Sequence, residues 1–92
     1  MYTIIVFYQY RKLTKEEEER AQREWGELKK KFKDFGVRLV SNNVHAFGTE
    51  WNGFLIIEAE DFEDYVKFWK WLKDQVRWYI NKTQTVIGVR KE

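Results

Sequence analysis

The sequence predicts a single α+β domain over residues 1–92, an antiparallel four-stranded sheet with two helices on one face and a second copy of the sheet against the other. Three observations carry this. Hydrophobic periodicity runs in the order strand, helix, strand, strand, helix, strand, and such alternation closes most simply as a sheet with both helices on one side. The first and third strand segments are apolar at both parities, which places them at the centre of the sheet. Both helical segments carry start signals, and the first also has a stop.

Tyr2 to Tyr10, YTIIVFYQY, is β-branched and aromatic and reads as a central strand. Thr14 and Glu17 stand at capping-box spacing, so a helix starts there. Its core stripe is Ala21, Trp25, Leu28, Phe32 and Phe35, and Gly36 is the left-handed stop. Glu16 to Glu19 at its start and Lys29, Lys30, Lys31 and Lys33 near its end complement the helix dipole. Val37–Val40 and Val44–Phe47 read as two parts of one strand. Ser41-Asn42-Asn43 interrupts it, where a β-bulge restores the correct facing. Gly48 to Gly53 supplies a turn, with Asn52-Gly53 as its strongest signal, and Phe54 to Glu60 is the next strand. Thr83 to Arg90 is the last strand, followed by Lys91 and Glu92.

The stretch from Asp61 to Asn81 concentrates the aromatic mass and reads as one helix capped by Asp61. Tyr65, Trp69, Leu72, Val76 and Tyr79 make a core-facing stripe, while Trp71 and Trp78 share a second face with Phe68 between them. A helix apolar on two sides buries both or leaves an adhesive patch, so Phe68, Trp71 and Trp78 are expected at an interface. The sheet makes a parallel demand. Whichever parity of the first strand points away from the helices, it exposes either Ile5 and Phe7 or Ile4, Val6 and Tyr8. A homodimer packed sheet to sheet covers that face, with Ile5 and Ile56 as contacts.

Composition narrows the function classes. Seventeen basic residues face 15 acidic ones, and the net charge of +2 gives no general electrostatic reason to expect nucleic acid. There is no cysteine and one histidine, so a structural zinc site is not expected, and no resident cofactor or metal is implied. No apolar run reaches the length of a membrane span and no secretion signal opens the chain, so a cytoplasmic protein is expected. Abundant Glu and Lys with almost no Cys or Met is a thermophile bias.

The element order is that of the ferredoxin-like fold. The chain resembles the dimeric α+β barrel superfamily over its whole length, most closely in Trp51-Asn52-Gly53-Phe54-Leu55-Ile56-Ile57-Glu58-Ala59-Glu60-Asp61 followed by Tyr65 and Trp69, a pattern similar to small uncharacterised members. The resemblance implies a homodimer. It reaches antibiotic-biosynthesis monooxygenases, haem-handling enzymes and regulatory ligand-binding modules without matching a catalytic motif of any. The third strand segment also faintly resembles an RNA-recognition motif, but Asn52, Ile56 and Ala59 replace the basic and stacking positions. Ile5-Val6-Phe7-Tyr8 is similar to the opening of the small dimeric nuclease-like subunit of CRISPR adaptation, where Gln9 stands in place of the metal-holding acid.

Candidate site residues follow from chemistry. His45 is the one histidine, the residue type suited to carrying a proton, and a hairpin of the second and third strands is expected to bring it near Glu58 as a proton-transfer pair or as ligands to a metal. A structural His and Glu at the sheet rim is the plainer reading of the same pair. Phe7, Phe47 and Phe54 are expected to line an apolar pocket between sheet and sheet or between sheet and helix, with Ser41, Asn42 and Asn43 at the kink orienting a ligand or serving as turn and bulge chemistry, and Trp51 as a lid or as hairpin packing. Three functions remain open: a small-ligand or protein-interaction module, a cofactor-poor oxygenase or isomerase using His45, and a nucleic-acid accessory subunit. The absence of a phosphate loop, a nucleophile with its base, or a metal-spaced ligand cluster favours the first.

Overall fold

In the computed structural model, which describes residues 1–48 and 50–91, the chain runs β1 (Tyr2–Tyr10), α1 (Lys15–Lys31), a 3-10 turn (Phe32–Phe35), β2 (Val37–Val44), β3 (Gly53–Ala59), α2 (Phe62–Val76) and β4 (Ile80–Val89). The four strands form one antiparallel sheet in the order β2-β3-β1-β4. The two strands apolar at both parities are therefore the central pair. Ile4 and Val6 of β1 and Leu55 and Ile57 of β3 point at the helices and are buried. Ile5, Phe7, Phe54 and Ile56 point the other way and are only half-buried.

The helix signals operate as the residues predict. Thr14 Oγ1 accepts from the Glu17 amide at 3.2 Å, while Glu17 Oε1 accepts from the Thr14 amide at 3.0 Å. Asp61 accepts from the Glu63 amide at 2.9 Å. Gly36 adopts φ 74°, and its N–H donates to Lys33 O at 3.0 Å, ending the first helical segment after its last turn has tightened to 3-10 geometry. Leu28 and Phe32 from this segment join Tyr65, Phe68, Leu72 and Val76 of α2 in one core over the sheet. The Phe32 and Phe68 rings meet edge to face with centroids 4.7 Å apart, a favourable quadrupole geometry.

Three expectations are corrected here. The aromatic helix ends at Val76, not Asn81. Tyr79 N donates to Val76 O at 3.1 Å, and Tyr79 O accepts from Arg11 N at 2.9 Å. Ile80 pairs with Tyr10, so the sheet captures the residues that helical periodicity assigns to the helix. Trp78 therefore lies in a turn, and the two-faced helix does not exist. Phe68 is not an interface residue: it is 0 % exposed and central to the core. Trp71 is occupied within the chain, stacked on Phe35 with centroids 4.8 Å apart.

Strand β2 also stops early, at Val44, leaving Phe47 in a bend and 90 % exposed. Thr49, within the expected turn, and Glu92, in the expected tail, lie outside the described residues. No helix among the described residues is long and apolar enough to cross a membrane.

Candidate functional site

The expected bulge is present, and it decides which side chains face the helix side of the sheet. Leu39 pairs with Ile57, but the next pair is Ser41 with Ile56, so Val40 is the extra residue. Regular alternation after Val37 and Leu39 would turn Ser41 and Asn43 toward the helices. The inserted residue turns Asn42 and Val44 that way instead, and sends Asn43 to the outer face opposite Phe54. There Asn43 Nδ2 donates to Ser41 Oγ at 2.9 Å and to Phe54 O at 3.3 Å.

Asn42 meets Tyr8, whose hydroxyl donates to Asn42 Oδ1 at 2.8 Å. Gly53 makes room for this pair, since a Cβ built there would lie 2.6 Å from the Tyr8 hydroxyl and 2.5 Å from Asn43 O. Asn52 is tied to the same strand end: its N–H donates to Tyr8 O at 2.9 Å, and its Oδ1 accepts from Tyr10 N at 3.0 Å.

Above these groups opens a cleft of about 450 Å³ between the helix-facing side of the sheet and the two helices. Val6, Tyr8 and Tyr10 of β1 form its floor with Asn42 and Leu55. One wall is Glu18, Gln22 and Trp25 of α1, and the opposite one is Trp69, Leu72 and Tyr79. Burial pushes the Tyr8 phenol up from its ordinary 10.0, reinforced by Tyr10 and opposed by the Asn42 bond. Burial pushes Tyr79 up to about 12, with the Glu24 charge and Tyr8 adding to it. Both phenols are neutral hydrogen-bonding groups at physiological pH, suited to orienting a ligand. Among the described residues no three His, Asp or Glu side chains gather as a metal site.

The structure does not bring the expected catalytic pair together. His45 follows Val44, which pairs with Gly53, whereas Glu58 pairs with Arg38 at the far end of the hairpin. Five residues of strand separate the two ends, roughly 17 Å. His45 is exposed, its backbone N–H donates to Asn52 O at 2.9 Å, and it does not line the cleft. Glu58, 12 % exposed, is paired with Arg38 on one side and with Arg90 at 3.4 Å on the other.

The expected ring residues do not line the cleft between sheet and helices. Phe7 and Phe54 belong to the outer face of the sheet, with ring centroids 5.6 Å apart. Trp51 packs on that face against Phe7 at 6.2 Å, is 7 % exposed, and carries the Lys82 ammonium 5.4 Å from its ring centroid. Ile5 and Ile56 are cross-strand partners beside them. Sequence reading misses Tyr8, Asn52, Trp25 and Tyr79 as site residues, and does not separate Asn42 from Asn43. The available signal was the equal parity of Tyr8 and Tyr10, together with the break in alternation just before Asn42.

No protein-family model and no curated protein matches this chain. Solved structures do. A DABB-family protein with a ferredoxin-like fold from Mesorhizobium loti superposes with a TM-score of 0.70 at 14% identity, covering 99% of this chain and 97% of that one. The fold is ferredoxin-like, as in the dimeric α+β barrel proteins. A dimeric protein of unknown function from Bacteroides fragilis, also ferredoxin-like, matches with TM-score 0.67 and 18% identity over 97% of this chain and 95% of its own. A candidate antibiotic biosynthesis monooxygenase from Nitrosomonas europaea matches with TM-score 0.69 and 14% identity over 100% of both chains. At these identities the ferredoxin-like likeness speaks for architecture, and activity must be argued from the cleft.

Proposed function

We propose that this protein is a homodimeric small-ligand-binding module that takes a flat, largely apolar molecule into the cleft between sheet and helices. The observation that carries this reading is the cleft itself: about 450 Å³, walled by Trp25, Trp69 and Leu72, with the bonded Tyr8–Asn42 pair on its floor. An apolar enclosure with a few fixed polar groups is the usual form of a small-molecule site. The outer face supports the homodimer, because Ile5, Phe7, Phe54 and Ile56 form a contiguous apolar patch on a central pair of strands. A structural neighbour described as dimeric points the same way. The cysteine-free, Lys- and Glu-rich composition supports a hot cytoplasm as the setting.

The decisive experiment is a titration with 2-naphthol, followed by NMR of the indole N–H signals. Trp25 and Trp69 are expected to shift while Trp71 stays still, and Asn42→Ala is expected to weaken binding. Shifts confined to Trp51 and Trp71, or none at all, overturn the cleft as the site. Sedimentation of Phe54→Glu tests the assembly: the variant is expected as a folded monomer where the native chain is a dimer, and a native monomer at micromolar concentration overturns the sheet-to-sheet arrangement.

A further inference from the structure

We infer that the cleft selects an organic cation, an amine or quaternary ammonium carried on an aromatic or apolar body, over neutral or anionic molecules of the same shape. The inference rests on the cleft being the ligand site. Five aromatic residues line it, Tyr8, Tyr10 and Tyr79 together with Trp25 and Trp69. Ring faces carry negative quadrupole density, and several rings around one small volume are the arrangement that holds alkylammonium groups. The one charged side chain lining the cleft, among the described residues, is the carboxylate of Glu18. Among the described residues no lysine or arginine lines it, although the chain holds 17 basic residues.

Neighbouring cations are engaged elsewhere. Arg11 is paired with Glu17 at 2.6 Å, and Arg20 is paired with Glu24 at 2.8 Å while lying over the outer indole of Trp78. The Tyr8 hydroxyl spends its proton on Asn42 Oδ1 and so presents only lone pairs. An anion would meet ring faces and the Glu18 carboxylate with no cationic side chain to offset them, and only the neutral amide ends of Asn42 and Asn52 as donors. A cation finds the ring faces and the carboxylate favourable, and the free amide ends of Asn42 and Asn52 can donate to an oxygen elsewhere on the same ligand.

The test compares three molecules of nearly one shape on the native protein: 3-hydroxyphenyltrimethylammonium, its neutral carbon counterpart 3-tert-butylphenol, and 3-hydroxybenzenesulfonate. The readout is the dissociation constant from the Trp25 and Trp69 indole signals. The cation is expected to bind about tenfold tighter than the neutral counterpart, and the sulfonate not at all. Glu18→Gln, a change at an exposed helix position, is expected to reduce the cation preference about threefold without altering 3-tert-butylphenol binding. Equal binding of cation and neutral counterpart at Trp25 and Trp69 overturns the charge selection and leaves the cleft standing. Failure of all three to shift those signals overturns the ligand site together with it.

Discussion

The indole nitrogen of Trp78 donates to Glu24 Oε1 at 3.0 Å, joining the turn after α2 to the middle of α1 across 54 residues of sequence. Arg20 lies over the same ring, 4.0 Å from its centroid, and its Nε donates to Glu24 at 2.8 Å. Arg11 Nε donates to the Trp78 carbonyl at 2.9 Å. This cluster holds the amino-terminal half of α1, where Ala21 is the only buried residue, over the cleft that α1 walls. Trp78→Ala is expected to cost about 2–3 kcal/mol in urea unfolding, the sum of a charge-assisted hydrogen bond and a cation–π contact. Glu24→Gln, which keeps an acceptor, should cost about 1 kcal/mol. Equal stability of native and Trp78→Ala proteins would show that α1 is held by other contacts.

Glycine substitutions separate two roles of the residue. Gly53→Ala drives a Cβ into Asn43 O, which is backbone and cannot yield, and into the Tyr8 hydroxyl, which yields only by leaving Asn42. The expected loss is about 1–3 kcal/mol, with weakened 2-naphthol binding. Gly26→Ala meets nothing within 4 Å on a helix, and should raise stability by about 0.5–1 kcal/mol. Thermal unfolding of the two variants side by side checks the contrast.

Acid weakens the start of α1. The Arg11 guanidinium, then the Thr14 amide, hold the Glu17 carboxyl down to about 2 from its ordinary 4.5. A carboxyl depressed in the folded state contributes stability that is fully present above 4.5 and is lost as pH falls toward 2. Glu17→Gln should therefore flatten the stability profile across that window and leave its alkaline side unchanged, as followed by circular dichroism.

Alkali acts on the cleft with the opposite sign. Tyr79 is raised from 10.0 to about 12, first by burial, so its contribution is complete below pH 10 and is lost as pH rises through 12. Ultraviolet titration of the phenols should show a late component that Tyr79→Phe removes. A native protein whose tyrosines all titrate together near 10 would contradict this reading.

Much of the architecture is legible in local chemistry. The Thr14–Glu17 capping box, the Asp61 cap, Gly36 and the two-sided apolarity of β1 and β3 specify helix starts, a stop and a central strand pair, because each depends on neighbours a few residues away. The site is less legible. Phe7 and Phe54 read as pocket residues because their parity relative to the helices depends on which face of β1 is turned inward, and that choice is collective. Trp78 reads as helical because its spacing from Trp71 suits a helix, until Tyr10 claims Ile80 across the sheet.

By itself the sequence determines an α+β domain with a sheet apolar on both faces, since residue type and period state which strands are central and where helices begin. Only the tertiary structure decides that Asn42, not Asn43, is turned to the helix side of the sheet and that Tyr8 meets it there. The reason is one extra residue, Val40: a single insertion reverses the facing of everything after it in a strand, and its position is set by pairing with β3.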